Sequence, residues 1–275
     1  MTDAFWQRFL LPGVLWLLLF FAVPLGIVVA ISLGVTGELG GVIYGWHPGN
    51  YADALDPLFA PVLLRSVGYA AATTLLCLLI GYPVAYFIAR HAGRWRGALL
   101  AGILMPFLIN YLVRTYAWVA LLADEGLVNS VLPSAVGFLN TPGAVVGGLV
   151  YGYLGFMIMP VYAALERMDP SVIEAGKDLY GTPRQTFWHV TWPQTRGGVL
   201  AGGILVFLPS VGDFVSAQLL GGPDTYMVGN LIQQQFSGAG NWPFGAALTI
   251  VMTVFLLVVM VGYLRRSRAT GEVLG

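Results

Sequence analysis

From Phe9 to Leu33 the chain runs for 25 residues without a charged side chain. A helix needs roughly 20 mostly apolar residues to cross the hydrocarbon core of a bilayer, so this stretch is long enough to span one. It exceeds the apolar core of a cleavable leader, about 7–15 residues, and no small-residue cleavage site closes it, so a retained helix is expected. Five further stretches meet the same length test, giving expected spans at about 9–33, 66–89, 98–122, 142–165, 198–220 and 244–264. Backbone amides cannot be left open in lipid, so these stretches must be helices or barrel strands. Barrel strands would read as short alternating segments, and none is present.

Composition agrees. Charged residues make up 9% of the chain and hydrophobic ones 57%, with a mean hydropathy of +0.78. Soluble domains carry about 25% charged residues, so a chain this apolar cannot cover a water-facing surface. The formal charge is zero, which argues against a nucleic-acid partner. Cys77 is the single cysteine and reads as a small hydrophobe. His47, His91 and His189 lack metal-ligand spacing, so no metal site is expected.

The basic residues orient the spans. Arg8, Arg90, Arg94, Arg96, Arg167, Lys177, Arg184, Arg196, Arg265, Arg266 and Arg268 all fall on one side if six spans exist. The other side holds only Arg65, with Glu38, Asp53, Asp56, Asp124, Glu125 and Asp224. Basic loops stay in the cytoplasm, which places both termini there. The expected fold is therefore an all-α polytopic helical bundle, N-in and C-in, in one transmembrane domain over residues 1–275. Two outer loops, about 34–65 and 221–243, are not featureless. In the second, Met227, Val228, Leu231, Ile232 and Phe236 keep helical spacing. This is either a short helix packed on the bundle or a docking surface for an external partner.

The segment between the fourth and fifth spans, Asp169 to Gly198, carries the most information. Asp169-Pro170-Ser171 is a helix start. Ile173, Ala175, Leu179, Phe187, Val190 and Trp192 are apolar, whereas Lys177, Asp178, Arg184 and Gln185 are polar. Gly181-Thr182-Pro183 supplies a turn. The expectation is a helix–turn–helix on the cytoplasmic face, amphipathic enough to need a partner.

Its spacing resembles the EAA loop of ABC importer permeases: Glu-Ala-Ala, three residues, Gly, nine residues, Ile, one residue, Leu-Pro. Glu174-Ala175-Gly176 stands at its start, Val190 at the Ile position, Trp192 at the Leu position and Pro193 at the end. The chain departs from the pattern at Gly176, which replaces the second Ala, and at Tyr180, which replaces the Gly, with Gly181 one place later. The segments Leu112–Asn129, Gly155–Ala175, Gly202–Phe236 and Asn241–Leu248 resemble the spermidine/putrescine (PotB-like) branch of these permeases, a relative of the iron(III), sulfate and phosphonate permeases. The resemblance implies a type I ABC importer permease fold in the bacterial inner membrane. It implies a coupling loop, about 169–197, that docks into a cytoplasmic ATPase subunit. It also implies a second permease subunit, the same chain or a homologous one, and a periplasmic substrate-binding protein. The solute it implies is a polyamine, with another small solute as the alternative.

Other function classes fare worse. HExxH and GxSxG are both lacking, so no intramembrane hydrolase is indicated, and a transport subunit without catalytic residues is expected. Lys177 follows Gly176, but Asp178 replaces the Ser/Thr of a phosphate-binding loop, and Ser171 stands where that loop needs its first Gly. No cofactor is expected on this chain, and ATP is left to a partner. A secondary carrier or channel has no need of an EAA-type loop.

Ionisable groups inside a bilayer are costly and face a cavity or one another. Arg114 in the third span and Asp213 in the fifth are the substrate-path candidates. Two readings stand for them, solute contacts or a structural pair. Tyr111, Tyr116 and Trp118 put aromatic faces near Arg114, suited to an alkylammonium or to an interfacial belt. Pro24, Pro83, Pro106, Pro160 and Pro209 interrupt spans, and Pro209-Ser210-Val211-Gly212-Asp213 is the best candidate for broken backbone beside a path.

Overall fold

The computed structural model describes residues 12–37, 41–131 and 137–269. In chain order its helices are α1 (Pro12–Ser32), α2 (Gly49–Ala54), α3 (Ala60–Arg90), α4 (Arg96–Leu104), α5 (Tyr111–Leu122), α6 (Leu127–Val131), α7 (Pro142–Arg167), α8 (Pro170–Tyr180), α9 (Pro183–Gly212), α10 (Val215–Leu220), α11 (Val228–Ser237) and α12 (Trp242–Ala269). A two-residue antiparallel ribbon, β1 (Val35–Thr36) on β2 (Val42–Ile43), sets Val35 opposite Ile43 and Thr36 opposite Val42. Among the described residues five helices are long and apolar enough to cross a membrane, and one bent pair makes six.

Two of the expected spans need correction. The stretch expected at 98–122 is not one straight helix. Gly93–Leu108 and Tyr111–Val131 meet at 92°. The cause is local: Pro106 sits in a 3₁₀ turn, Met105–Leu108, and Asn110 starts α5 afresh by accepting the Leu112 N–H at 2.9 Å. The stretch expected at 198–220 begins earlier and ends earlier. α9 is continuous from Pro183 and stops at Gly212, and α10 is a separate helix.

The chain forms two compact units. Of the described residues, those of 12–60 and 231–258 make the first, and those of 61–230 and 259–269 the second. In the first, α1 exposes Leu15, Trp16, Phe20, Phe21 and Ile27 around its circumference, as a lipid-facing helix does. A π-helical turn, Leu18–Ala22, precedes Pro24 and takes up the hydrogen bond that proline cannot make. The end of α1 is tied down by polar contacts. The Ser32 hydroxyl lies 2.6 Å from that of Tyr51, and Asn50 Nδ2 donates to the Ser32 and Gly34 carbonyls, both at 2.9 Å. Ala54, Ala247 and Leu248 form a small core with Leu231 and Ile232 packed against it. The apolar face expected between Met227 and Phe236 therefore packs, in part, within the protein.

The second unit is held by small residues. The buried positions of α3 are Tyr82 and a stripe of Ser66, Ala70, Thr73, Cys77, Gly81, Ala85 and Ile88, spaced three or four apart. Such a stripe lets helix backbones approach closely where hydrophobic force between helices is absent. On α9, a Cβ at Gly198 would lie 2.6 Å from the Pro160 carbonyl oxygen, and one at Gly202 would lie 2.8 Å from Met157 Sδ. These glycines set the α7–α9 contact. Met157, Ile158, Val161 and Leu165 of α7 fill the core with Cys77, Ala85, Ile88 and Val206.

Candidate functional site

The segment from Asp169, expected on the cytoplasmic face, folds as two helices joined at Gly181. Asp169 Oδ1 accepts the Ser171 N–H at 2.9 Å, and Pro170 stands at the first helical position, so α8 starts as its sequence dictates. The same hydrogen bond holds the Asp169 carboxyl below the usual carboxylate range. Its support for the helix start is present at neutral pH and is lost as pH falls through that lowered value. Gly181 ends α8 at φ +69°, in the left-handed region, and its N–H donates to the Lys177 carbonyl at 2.8 Å. Thr182 then caps α9, with Pro183 following.

Gly176 explains the first departure from the EAA pattern. A Cβ there would meet Val190 Cγ2 at 2.9 Å and Thr186 Cγ2 at 3.1 Å, and Thr186 Oγ1 donates to the Gly176 carbonyl at 3.3 Å. Glycine is what lets the two helices of the hairpin touch. Tyr180 is the last residue of α8, and its side chain lies outside what the structure describes. The turn falls at Gly181, which accounts for the second departure. A π-helical turn, Phe187–Thr191, precedes Pro193 and spares it the hydrogen bond it cannot donate, as before Pro24. Glu174 and Ala175 are exposed, as are Val172 and Leu179, the latter at 79%. Positions 172, 175 and 179 share one helical face, so α8 carries an apolar stripe in the open, flanked by Glu174 and Asp178.

The second cluster lies at the break after α9. Ser210 bonds back to the Val206 carbonyl at 2.6 Å, the helix ends at Gly212, and Asp213 is extended at ψ 120°. Asp213 Oδ1 accepts the backbone N–H of Ser216 in the first turn of α10 at 2.8 Å. Its Oδ2 accepts two tyrosine hydroxyls, from Tyr153 at 2.9 Å and from Tyr111. The Tyr111 hydroxyl also lies 2.7 Å from Ser216 Oγ. Three elements, α5, α7 and the α9–α10 break, thus converge on one carboxylate that is 7% exposed.

Arg114 is not part of that network. No ion pair joins it to Asp213. Its guanidinium carbon lies 5.4–5.8 Å from the ring centres of Phe107, Tyr111 and Tyr151, and its Nε and Nη1 are buried without a hydrogen-bond partner. The structural-pair reading of Arg114 and Asp213 is therefore corrected: tyrosine hydroxyls satisfy the carboxylate, and aromatic faces hold the cation. The Tyr111 ring, read as suited to an alkylammonium or to an interfacial belt, lies beside the chain's own Arg114. Tyr116 is 59% exposed, and Trp118 packs edge-on against Tyr151 at 5.5 Å, so neither joins the Asp213 cluster.

Residues 78–268 match the family model described as the inner membrane component of binding-protein-dependent transport systems. The chain belongs to this family. It is a multi-pass inner-membrane permease, the transport subunit of an ABC importer. It is 36% identical over 273 residues to the spermidine/putrescine transport system permease protein PotB of Salmonella typhimurium, covering 97% of this chain and 95% of that one. It is 33% identical over 240 residues to the inner membrane ABC transporter permease protein YdcU of Escherichia coli strain K12, covering 80% and 75%. A chain from the crystal structure of a bacterial alginate ABC transporter, in complex with an alginate pentasaccharide-bound periplasmic protein, superposes with a TM-score of 0.71 at 18% identity, covering 98% of this chain and 95% of that one. The permease thus has the type I importer fold.

Two members of the permease's carboxylate cluster, Tyr153 and Ser216, escape a reading of the sequence alone. The Ser216 N–H had a local signal, since an acid at a helix start accepts the backbone N–H two or three residues on, but its hydroxyl had none. Tyr153 had none beyond a hydroxyl deep in an apolar span.

Proposed function

We propose that this permease moves a polyamine from the periplasm to the cytoplasm, pairing with a second permease subunit, cytoplasmic ATPase subunits that hydrolyse the ATP, and a periplasmic substrate-binding protein. The observation that carries the solute is Asp213, a buried acid at the α9–α10 break that forms no ion pair among the described residues. The carboxylate has acceptor capacity beyond the three donors it already takes, and each hydroxyl oxygen retains lone pairs to accept from an ammonium. The PotB relatives support the same solute class. The exposed Asp53, Asp56, Asp124, Glu125 and Asp224 of the outer segments favour the approach of cations. Labelled spermidine is the direct probe: vesicles holding the permease with its partners should show ATP-dependent uptake that unlabelled putrescine competes away. Carriage of a different solute, with no polyamine uptake, overturns the polyamine assignment.

The coupling role of the 169–197 loop rests on the open face of α8. A stripe of Val172, Ala175 and Leu179 suits an apolar groove on the ATPase. Glu174, Gly176 and Gly181 shape the helix that enters it, and Val190 and Pro193 shape the helix behind. Ala175→Glu introduces a charge into that stripe and should lower solute-stimulated ATPase activity and uptake about tenfold or more, the effect of burying an unpaired charge at a docking surface. The altered residue is exposed, so abundance in the membrane should stay at the native level. Unchanged uptake and ATPase activity would show that α8 is not the docking element.

A further inference from the structure

The end of α7 is gripped by two arginines from the turn between α3 and α4. Arg90, the last residue of α3, donates through Nη2 to the carbonyls of Leu165 at 2.9 Å and Met168 at 3.3 Å. These belong to the last turn of α7 and its cap, where carbonyls have no partner within the helix and a cation is favoured. Arg96, the first residue of α4, pairs with Glu166 at 2.8 Å, donates to the Ala89 carbonyl at 3.3 Å, and lies 5.3 Å from the Tyr162 ring centre. Glu166, Leu165 and Met168 are consecutive with, or next but one to, the last residue of α7. The residue after Met168 is Asp169, which caps α8.

We infer that Arg90, Arg96 and Glu166 form a clasp that transmits movement of α8 to the α3–α4 corner. They are positioning residues for coupling, and the inference rests on the reading of α8 as the ATPase-docking helix. A helix held at one end only would swing when pushed. α8 is held at both. Behind it, Gly176 is pressed on Thr186 and Val190 of α9. Ahead of it, the clasped Met168 carbonyl is a single peptide from its cap. A displacement of α8 therefore pulls the end of α7 and, through Arg90 and Arg96, the ends of α3 and α4, while pushing α9 directly. The guanidinium fork suits this role, since one planar group reaches two carbonyls in fixed geometry, which an ammonium does not impose.

The test is the ratio of solute moved to ATP hydrolysed, measured in proteoliposomes holding the permease with its ATPase, second permease and binding protein. Arg90→Gln and Arg96→Glu are expected to lower that ratio roughly twofold to thirtyfold with ATPase activity retained, the span by which mutations along a coupling network change coupling. Arg90→Lys should recover part of the loss. The Arg96→Glu, Glu166→Arg exchange should recover more than either single change, because the pair is partly exposed and tolerates reversal. If Arg90→Gln does not accumulate in the membrane, the Arg96 and Glu166 variants alone decide. A native ratio in Arg96→Glu, or an exchange no better than the singles, overturns the clasp. Ala175→Glu separates the two levels. If it leaves transport intact, the docking assignment fails and takes the clasp with it. If it abolishes transport while the clasp variants couple normally, only the clasp is wrong.

Discussion

Asp213→Asn should cut the initial rate of polyamine uptake by about tenfold to a hundredfold at matched membrane abundance, because a charged hydrogen bond contributes ~1.5–3 kcal/mol and each 1.4 kcal/mol is a factor of ten. The amide cannot reproduce the carboxylate. Asp213 accepts at both oxygens, from the Ser216 N–H on one side and from the Tyr111 and Tyr153 hydroxyls on the other. An asparagine must aim its NH₂ at one of these sets, so a donor faces a donor and some loss of abundance is expected as well. Tyr153→Phe separates the two effects. It removes one donor, leaves the carboxylate with its Ser216 and Tyr111 donors, and should lower uptake less than Asp213→Asn does at matched abundance. If Asp213→Asn transports at the native rate, Asp213 is not on the solute path. If uptake falls only in proportion to abundance, the residue serves to start α10 and nothing more.

The difference between what was readable and what was not follows the range of the forces involved. The membrane class was legible because lipid demands length and apolarity residue by residue, and the run from Phe9 to Leu33 can satisfy nothing else. The helix start at Asp169-Pro170 and the turn at Gly181 were legible because capping and positive φ are set by near neighbours. The bend before Tyr111 was not, since hydropathy averages over Pro106 and Asn110 and registers neither direction nor capping. The true start of α9 at Pro183 was missed for a related reason: hydropathy marks the apolar part of a helix, and this one starts in a polar stretch before it. The partners of Asp213 lay furthest out of reach. Tyr111 and Tyr153 are 102 and 60 residues away from it along the chain, and only packing brings them together. Arg114 and Asp213 are of opposite charge in neighbouring apolar spans, which invited pairing. The aromatic side chains of Phe107, Tyr111 and Tyr151 hold the arginine instead.

Gly198→Val should be among the most damaging single substitutions for the fold itself. The obstacle is backbone: a Cβ at this position would stand 2.6 Å from both the Pro160 carbonyl oxygen and Ala164 Cβ. A flexible side chain can turn aside, but a helix backbone moves only as a unit, so α7 and α9 must separate. Gly202, one turn on, faces Met157 Cα and its carbonyl oxygen, both at 3.2 Å, and the separation would therefore open the contact along its length. Overpacking in a close-packed interior costs about 1–3 kcal/mol and more where backbone is involved, a large part of the marginal stability of a domain. The expected result is loss of most of the protein from the membrane fraction, and a lower unfolding temperature for what remains in detergent. Gly203→Ala is the matched control. The nearest atoms to a Cβ there are Tyr263 Oη at 3.8 Å and Thr74 Cγ2 at 3.9 Å, ordinary contacts, so abundance and unfolding temperature should stay near native values. Equal loss in both variants would mean that helix flexibility, not the α7–α9 approach, is what these glycines provide. Native abundance of Gly198→Val would mean that the two helices do not meet as closely as their glycines imply.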